Sequence, residues 1–226
     1  MGVNIVTEDI KRYFKVGDST VRALRGVSVE FKENQLTILR GRSGSGKTTL
    51  INIIGTLDRP TDGKVFIDGV DITSLSDEKR DEYRRTNIGF VFQSVALIST
   101  MSAYENIDFA LRIAGYPEDE RDHRVKECLE MVGLLNRMNH KPFELSGGEQ
   151  QRVAIARAIA HKPKLVIADE PTAELDTNTA IHIVELFRKV SSEDKITVIM
   201  TTHDPTMLSV ADGVLTLEDG EIIDNE

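Results

Sequence analysis

One short stretch restricts this chain more than any other: Gly41-Arg42-Ser43-Gly44-Ser45-Gly46-Lys47-Thr48. It fits the pattern G-x-x-x-x-G-K-[ST] in full, after a β-rich run (Gln35–Leu39) and before a run that reads as helix (Lys47–Leu57). A strand that turns through glycines into a helix aims backbone N–H groups at one point, where phosphate oxygens fit. Lys47 is suited to neutralise the β/γ charge of a nucleotide and the Thr48 hydroxyl to face Mg²⁺. A fold that holds such a loop needs a parallel strand with a helix behind it.

The rest of the pattern agrees. Strands are expected at Val3–Val6, Val27–Phe31, Val65–Ile67, Gly89–Phe92, Leu165–Ala168 and Thr197–Thr201. Gly213–Leu217 and Glu221–Asp224 flank Asp219-Gly220, a hairpin signal. Leu165–Ala168 is apolar on both faces, as in a buried parallel strand. Helices are expected at Ala103–Ala114, Asp119–Val132, Gln151–Ala160 and Thr179–Val190. The fold class expected is α/β, a phosphate-loop core with a mainly parallel sheet and an antiparallel β subdomain near the N-terminus. An α-helical subdomain at about 95–145 is inserted, and residues 1–226 form a single domain.

Composition narrows the class. The 226 residues suffice for a sizeable core, and 40% apolar with 29% charged residues is an ordinary globular balance. The net charge of -9 argues against a general nucleic-acid binder. The one cysteine, Cys128, lies in a helical run and reads as a small core residue. No apolar run approaches the roughly 18 residues that span a bilayer, and the start is no signal peptide. A cytoplasmic chain is expected, brought to any membrane by another chain.

Three further groups carry chemistry. Leu165–Ala168 ends in Asp169 and Glu170, at the strand edge where α/β sheets gather ligands. Asp169 is suited to hold Mg²⁺, and Glu170 to polarise a water for attack on the γ-phosphorus. Gln93 and His203 each follow a strand; a Gln oxygen can ligate Mg²⁺, and a His can hold the γ-phosphate or a water. The third group is Leu145-Ser146-Gly147-Gly148-Glu149-Gln150, a Gly-Gly turn opening a helix. It offers N–H groups and a helix dipole to an anion but has no lysine, so it reads as half of a site.

Taken together, these motifs resemble the nucleotide-binding subunit of an ATP-binding cassette (ABC) transporter over nearly the whole chain. They stand in family order: the phosphate loop, Gln93, the Leu145–Gln150 signature, the Leu165–Asp169 strand with Glu170, the loop Ala173-Glu174-Leu175-Asp176, and His203. The resemblance implies catalytic roles for Glu170 and His203, and Mg²⁺ contacts from Thr48, Gln93 and Asp169. It implies ATP contacts from Phe14, Gly41, Arg42, Ser43, Gly44, Ser45, Gly46, Lys47, Thr48, Thr49, Gln93, Ser146, Gly147, Gly148, Glu149 and Asp176. It further implies an ATP-dependent head-to-tail homodimer, in which Ser146, Gly147 and Gly148 cap the nucleotide of the other chain and Asp176 crosses the interface. Phe14 is favoured as the residue stacking on adenine, with Tyr13 as the alternative.

Thr56–Gly63, Gly89–Gln93 and Ser102–Asn106 look like an exporter-type branch that includes macrolide-export, lipoprotein-release, cell-division and antimicrobial-peptide-resistance cassettes. A separate integral-membrane permease is then expected, docking near Gln93 and the helical segment after it, with the chain peripheral on the inner membrane face. Leu97, Ile98, Met101 and Tyr104 either meet that partner or pack the subdomain. Arg152 and Arg157 are either salt-bridging surface residues or stabilisers of their helix's interface. A non-transport cassette ATPase, mechanical or of the cell-division kind, is the rival. No Asn-Lys-x-Asp motif speaks for a GTPase.

Overall fold

The computed structural model describes residues 2–173 and 175–225. Its parallel sheet is built from strands whose alternate residues are apolar on both faces. The strands are β3 (Leu36–Arg40), β6 (Ile88–Val91), β7 (Leu165–Ala168), β8 (Thr197–Thr202), β9 (Gly213–Glu218) and β10 (Glu221–Asn225). Their spatial order is β10-β9-β3-β8-β7-β6, parallel throughout except for the β9–β10 hairpin. All four residues of β7 are buried: Leu165 and Ile167 enter one core cluster, Val166 and Ala168 the other. The expected continuous burial of that strand holds, and for the expected reason.

On one face the core is shared with α1 (Lys47–Ile54) and a four-stranded antiparallel sheet, β2-β1-β4-β5. That sheet comprises β1 (Ile5–Val16), β2 (Ser19–Phe31), β4 (Asp62–Ile67) and β5 (Val70–Asp71). The short runs expected at Val3–Val6 and Val27–Phe31 are thus parts of one long hairpin turning at Gly17, which sits at φ +58. Register shifts within β1, between Thr7 and Tyr13, break the period-two pattern that would have marked its length. The opposite face is covered by α5 (Gly147–Ile159) and α6 (Thr177–Glu193).

A third cluster belongs to α3 (Ala103–Ala114), α4 (Glu118–Met131) and one side of α5. Cys128 is fully buried there, and burial pushes its thiol up to about 11, so it is a packing residue and no nucleophile at neutral pH. Ser102 and Glu105 form a capping box at the start of α3, and Gly115 ends that helix in the left-handed region at φ +75.

One helix has no counterpart in the sequence pattern: α2 (Asp77–Asn87). It lacks an apolar stripe, and its sole buried residue is Arg80, which donates to the carbonyls of Thr56 (2.8 Å) and Asp58 (2.6 Å). Tyr83 alone packs half-buried on the core and the rest of the anchor is polar, so periodicity does not find the helix.

His161 follows α5, and burial, reinforced by the positive charge of Arg124, pushes its pKa down to about 4. A depressed base is protonated first in the unfolded chain, so stability present at neutral pH is lost as pH falls from 6.5 toward 4. Denaturant midpoints at about pH 7 and 5 should show the unmodified chain losing about 1–2 kcal/mol more than His161→Gln.

Candidate active site

Four adjacent parallel strands, β3, β8, β7 and β6, end at the same edge of the sheet, and each delivers a chemical group there. The phosphate loop follows β3, His203 follows β8, Asp169 and Glu170 follow β7, and Gln93 lies two residues past β6. Shared strand polarity brings together residues as far apart in sequence as Thr48 and His203.

The loop is shaped by glycine. Gly44 and Gly46 sit at φ +81 and +107, conformations that a side chain strains. A Cβ on Gly46 would run into the Ala23 carbonyl, so the loop can approach β2 only with glycine there. Gly46 caps α1 without a side-chain bond, leaving the first-turn N–H groups facing outward. Lys47 is buried, its Nζ donating to the carbonyls of Gly41 (2.7 Å) and Arg42 (3.1 Å). Ser45 Oγ is buried with no hydrogen-bond partner.

The carboxylate of Asp169, just past β7, is held by α1 and β8. Thr48 Oγ1 donates to its Oδ2 (2.8 Å) and Thr201 Oγ1 to its Oδ1 (2.6 Å). The Thr201 hydroxyl also accepts from the Glu170 N–H (2.9 Å), and Glu170 is held at φ +46, outside the comfortable range for a non-glycine residue. Gln93 Nε2 and His203 Nδ1 lie 3.5 and 3.6 Å from Glu170 Oε2. Thr201 is absent from the residues expected on sequence; a threonine in an apolar strand carries no signal of its own.

A cavity of about 280 Å³ is lined by Ala23, Ser43, Gly44, Gly46, Lys47, Thr48, Thr49, Gln93 and Glu170. It unites the phosphate loop with Gln93 and Glu170, but no residue of the 145–150 turn borders it. A larger, more apolar cavity of about 610 Å³ beside α4, around Glu130, Leu135 and Met138, holds none of the groups above. The oxygens of Thr48, Asp169 and Gln93 suit a hard divalent cation. Among the described residues no group of three His, Cys, Asp or Glu side chains gathers, so a cation here would need oxygens from a ligand or from water.

The second glycine turn is a helix start. Ser146 caps α5: its Oγ accepts from the Glu149 N–H (3.3 Å), while Glu149 Oε2 accepts from the Ser146 N–H (2.8 Å). That hydrogen bond, together with nearby Arg137 and Arg152, holds the Glu149 carboxyl below its usual range. A Cβ on Gly148 would lie 3.2 Å from Leu175 Cδ2, so the turn abuts the 173–176 loop of its own chain. Asp176 caps α6, accepting from the Thr179 N–H (3.1 Å) and hydroxyl (2.6 Å); Glu174 lies outside the described residues.

Phe14 is exposed, with the Arg12 guanidinium 4.4 Å above its ring, and Arg12 is itself fixed by paired bonds to Asp58 (2.8 and 2.9 Å). Phe14 does not border the cavity around Lys47. Tyr13 is instead flanked by Arg22, 5.7 Å from its ring. Leu97 and Tyr104 pack on the helical cluster, and the apolar residues left exposed on α3 are Phe109 and Ile113.

A parallel sheet with a glycine phosphate loop after β3, and a carboxylate pair after β7 with β8 between them, defines a nucleotide-binding cassette of the phosphate-loop class. The chain belongs to the ABC transporter family: that family's model matches residues 24–173. It is 46% identical over 214 residues to an ABC transporter ATP-binding protein of Thermotoga maritima, covering 95% of this chain and 91% of that protein. It is 40% identical over 222 residues to the lipoprotein-releasing system ATP-binding protein LolD of Rhodopseudomonas palustris, covering 98% and 96%. Among solved structures it is similar to the dimeric post-hydrolysis state of the cassette MJ0796 bound to ADP and Pi. That match has a TM-score of 0.92 and 40% identity, covering 98% of this chain and 97% of that one.

Proposed function

We propose that this chain binds and hydrolyses ATP as one of a head-to-tail pair of cassettes and drives a separate membrane permease of the exporter type. The observation that carries this reading is the split between the two anion sites. The cavity around Lys47 has metal- and base-type groups but no contribution from the Ser146 turn, which faces elsewhere on the same chain. Supporting it, solved structures of the similar cassette MJ0796 are dimeric, and LolD is named as part of a lipoprotein-releasing system. Among the described residues no helix is long and apolar enough to cross a membrane.

In this reading residues 1–226 act as one ATPase domain with the helical segment inserted. The N–H groups of Gly44–Thr49 wrap the phosphates, and Lys47 leaves its two carbonyl acceptors to meet the β/γ oxygens. Gly41, Arg42 and Ser43 form the near wall, and Phe14 stacks on the base. Bound Mg²⁺ would neutralise developing charge on the phosphoryl oxygens, with Thr48, Asp169 and Gln93 as its protein contacts. Thr201 fixes Asp169 and the Glu170 backbone; Glu170 accepts a proton from the attacking water, and His203 steadies that water and the γ-phosphate. Ser146, Gly147 and Gly148 of the second chain close the site, with Glu149 and Asp176 beside them. Phe109 and Ile113, together with the loop after Gln93, are the surface offered to the permease.

Binding of a fluorescent ATP analogue tests the nucleotide reading. Lys47→Ala should weaken it at least tenfold, about 1.4 kcal/mol, without changing the melting temperature by more than a few degrees. Equal affinity in the variant would reject the assignment.

A further inference from the structure

Arg157 is placed where helix capping does not need it. It sits in the last turn of α5, but the carbonyls that end this helix are already met: Arg124 donates to those of Ala160 (2.8 Å) and Ile159 (2.9 Å). Arg157 instead reaches across to the loop after β6 and donates to the carbonyls of Ala96 (2.7 Å) and Val95 (3.2 Å). No carboxylate among the described residues pairs with it, and burial alone lowers its pKa. A half-buried cation without a counter-ion costs free energy, offset here by two backbone acceptors. Ala96 is held at φ +50, a conformation that a free loop would leave.

Both acceptors belong to the loop that carries Gln93, and the donor belongs to the helix that Ser146 caps. That helix is gripped on two sides: Ile155, Ala158 and Ile159 enter the cluster under the parallel sheet, while Val153, Ala156 and Ala160 enter the helical cluster. It therefore moves as a rod, with Ser146 and Arg157 about 16 Å apart along its axis. We propose that Arg157 is a positioning residue that ties the Gln93 loop to the signature helix. The metal side of a chain's own phosphate site and the Ser146 turn it lends to its partner then shift together. The idea rests on the composite-site reading above and adds the residue that links its two halves.

The chain contains no tryptophan, so Ser94→Trp places a single fluorescent reporter on the loop. Adding Arg157→Met should lower the reporter's anisotropy in the nucleotide-free cassette. In a Glu170→Gln background it should raise the ATP concentration for half-maximal dimerisation about fivefold, a coupling of about 1 kcal/mol. Monomer affinity for nucleotide measured without Mg²⁺ should stay within about twofold, because the phosphate loop is untouched. Arg157→Lys, which keeps charge and stem but loses the two-pronged donor, should recover part of both changes. Unchanged anisotropy overturns the proposal. A looser loop with unaltered dimerisation also overturns it, reducing Arg157 to a local latch. If Arg157→Met does not fold, Arg157→Lys decides alone, and unmodified values in both readouts overturn the link. A Glu170→Gln parent that never dimerises with ATP removes the composite site itself, and the coupling falls with it.

Discussion

Glu170→Gln is expected to cut ATP turnover about 100-fold or more while leaving ATP binding intact, so that an ATP-bound dimer accumulates. The substitution keeps the length of the side chain and its contacts with Gln93 and His203, 3.5 and 3.6 Å away. The backbone at this position is fixed independently, because the Glu170 N–H is bonded to Thr201. Only the capacity to take a proton from water is removed, and general-base catalysis is typically worth 10²–10⁴ in rate, about 3–5 kcal/mol. Size-exclusion chromatography with ATP should show the dimer in Glu170→Gln and mostly monomer in the unmodified, turning-over chain. Hydrolysis within a few-fold of the unmodified rate would reassign the base.

The site is more legible in the sequence than its supports are. Gly41–Thr48 is local, so each contribution to phosphate binding lies within one loop and the start of one helix. Asp169 and Glu170 announce themselves by following an apolar run, since charged groups end a buried strand only at its edge. Thr201 does not: it reads as one more β-branched residue of β8, and its role exists only because β8 lies beside β7 in the sheet. The same is true of Arg157, whose acceptors are backbone carbonyls and have no residue signature. In the fold, α2 escaped because its anchor, Arg80, is polar, and the β1–β2 hairpin was cut short because bulges scrambled its alternation. Local patterns reported contacts made within an element. Contacts made between elements by polar groups outside the motifs left no trace.

Complementation between two crippled chains is the sharper test, because it asks which chain supplies Ser146. Lys47→Ala damages the phosphate loop and leaves the signature whole; Ser146→Arg does the reverse. Ser146 is the N-cap of α5, and losing a cap costs about 1 kcal/mol, a tolerable fraction of the 5–15 kcal/mol that holds a typical domain together. Each variant alone should hydrolyse ATP at a few per cent of the normal rate or less, since every site in its homodimer carries a defect. In a heterodimer formed head to tail, the phosphate loop of the Ser146→Arg chain meets the unaltered signature of the Lys47→Ala chain, while both defects fall together in the other site. One of two sites is then whole. An equal mixture pairing at random should regain about a quarter of normal turnover. If Ser146 served its own chain's nucleotide, every site in the mixture would keep one defect and no activity would return. Differently tagged chains, co-purified in ATP before the assay, establish that heterodimers are present. The absence of any 145–150 residue from the Lys47 cavity is what makes recovery the expected result.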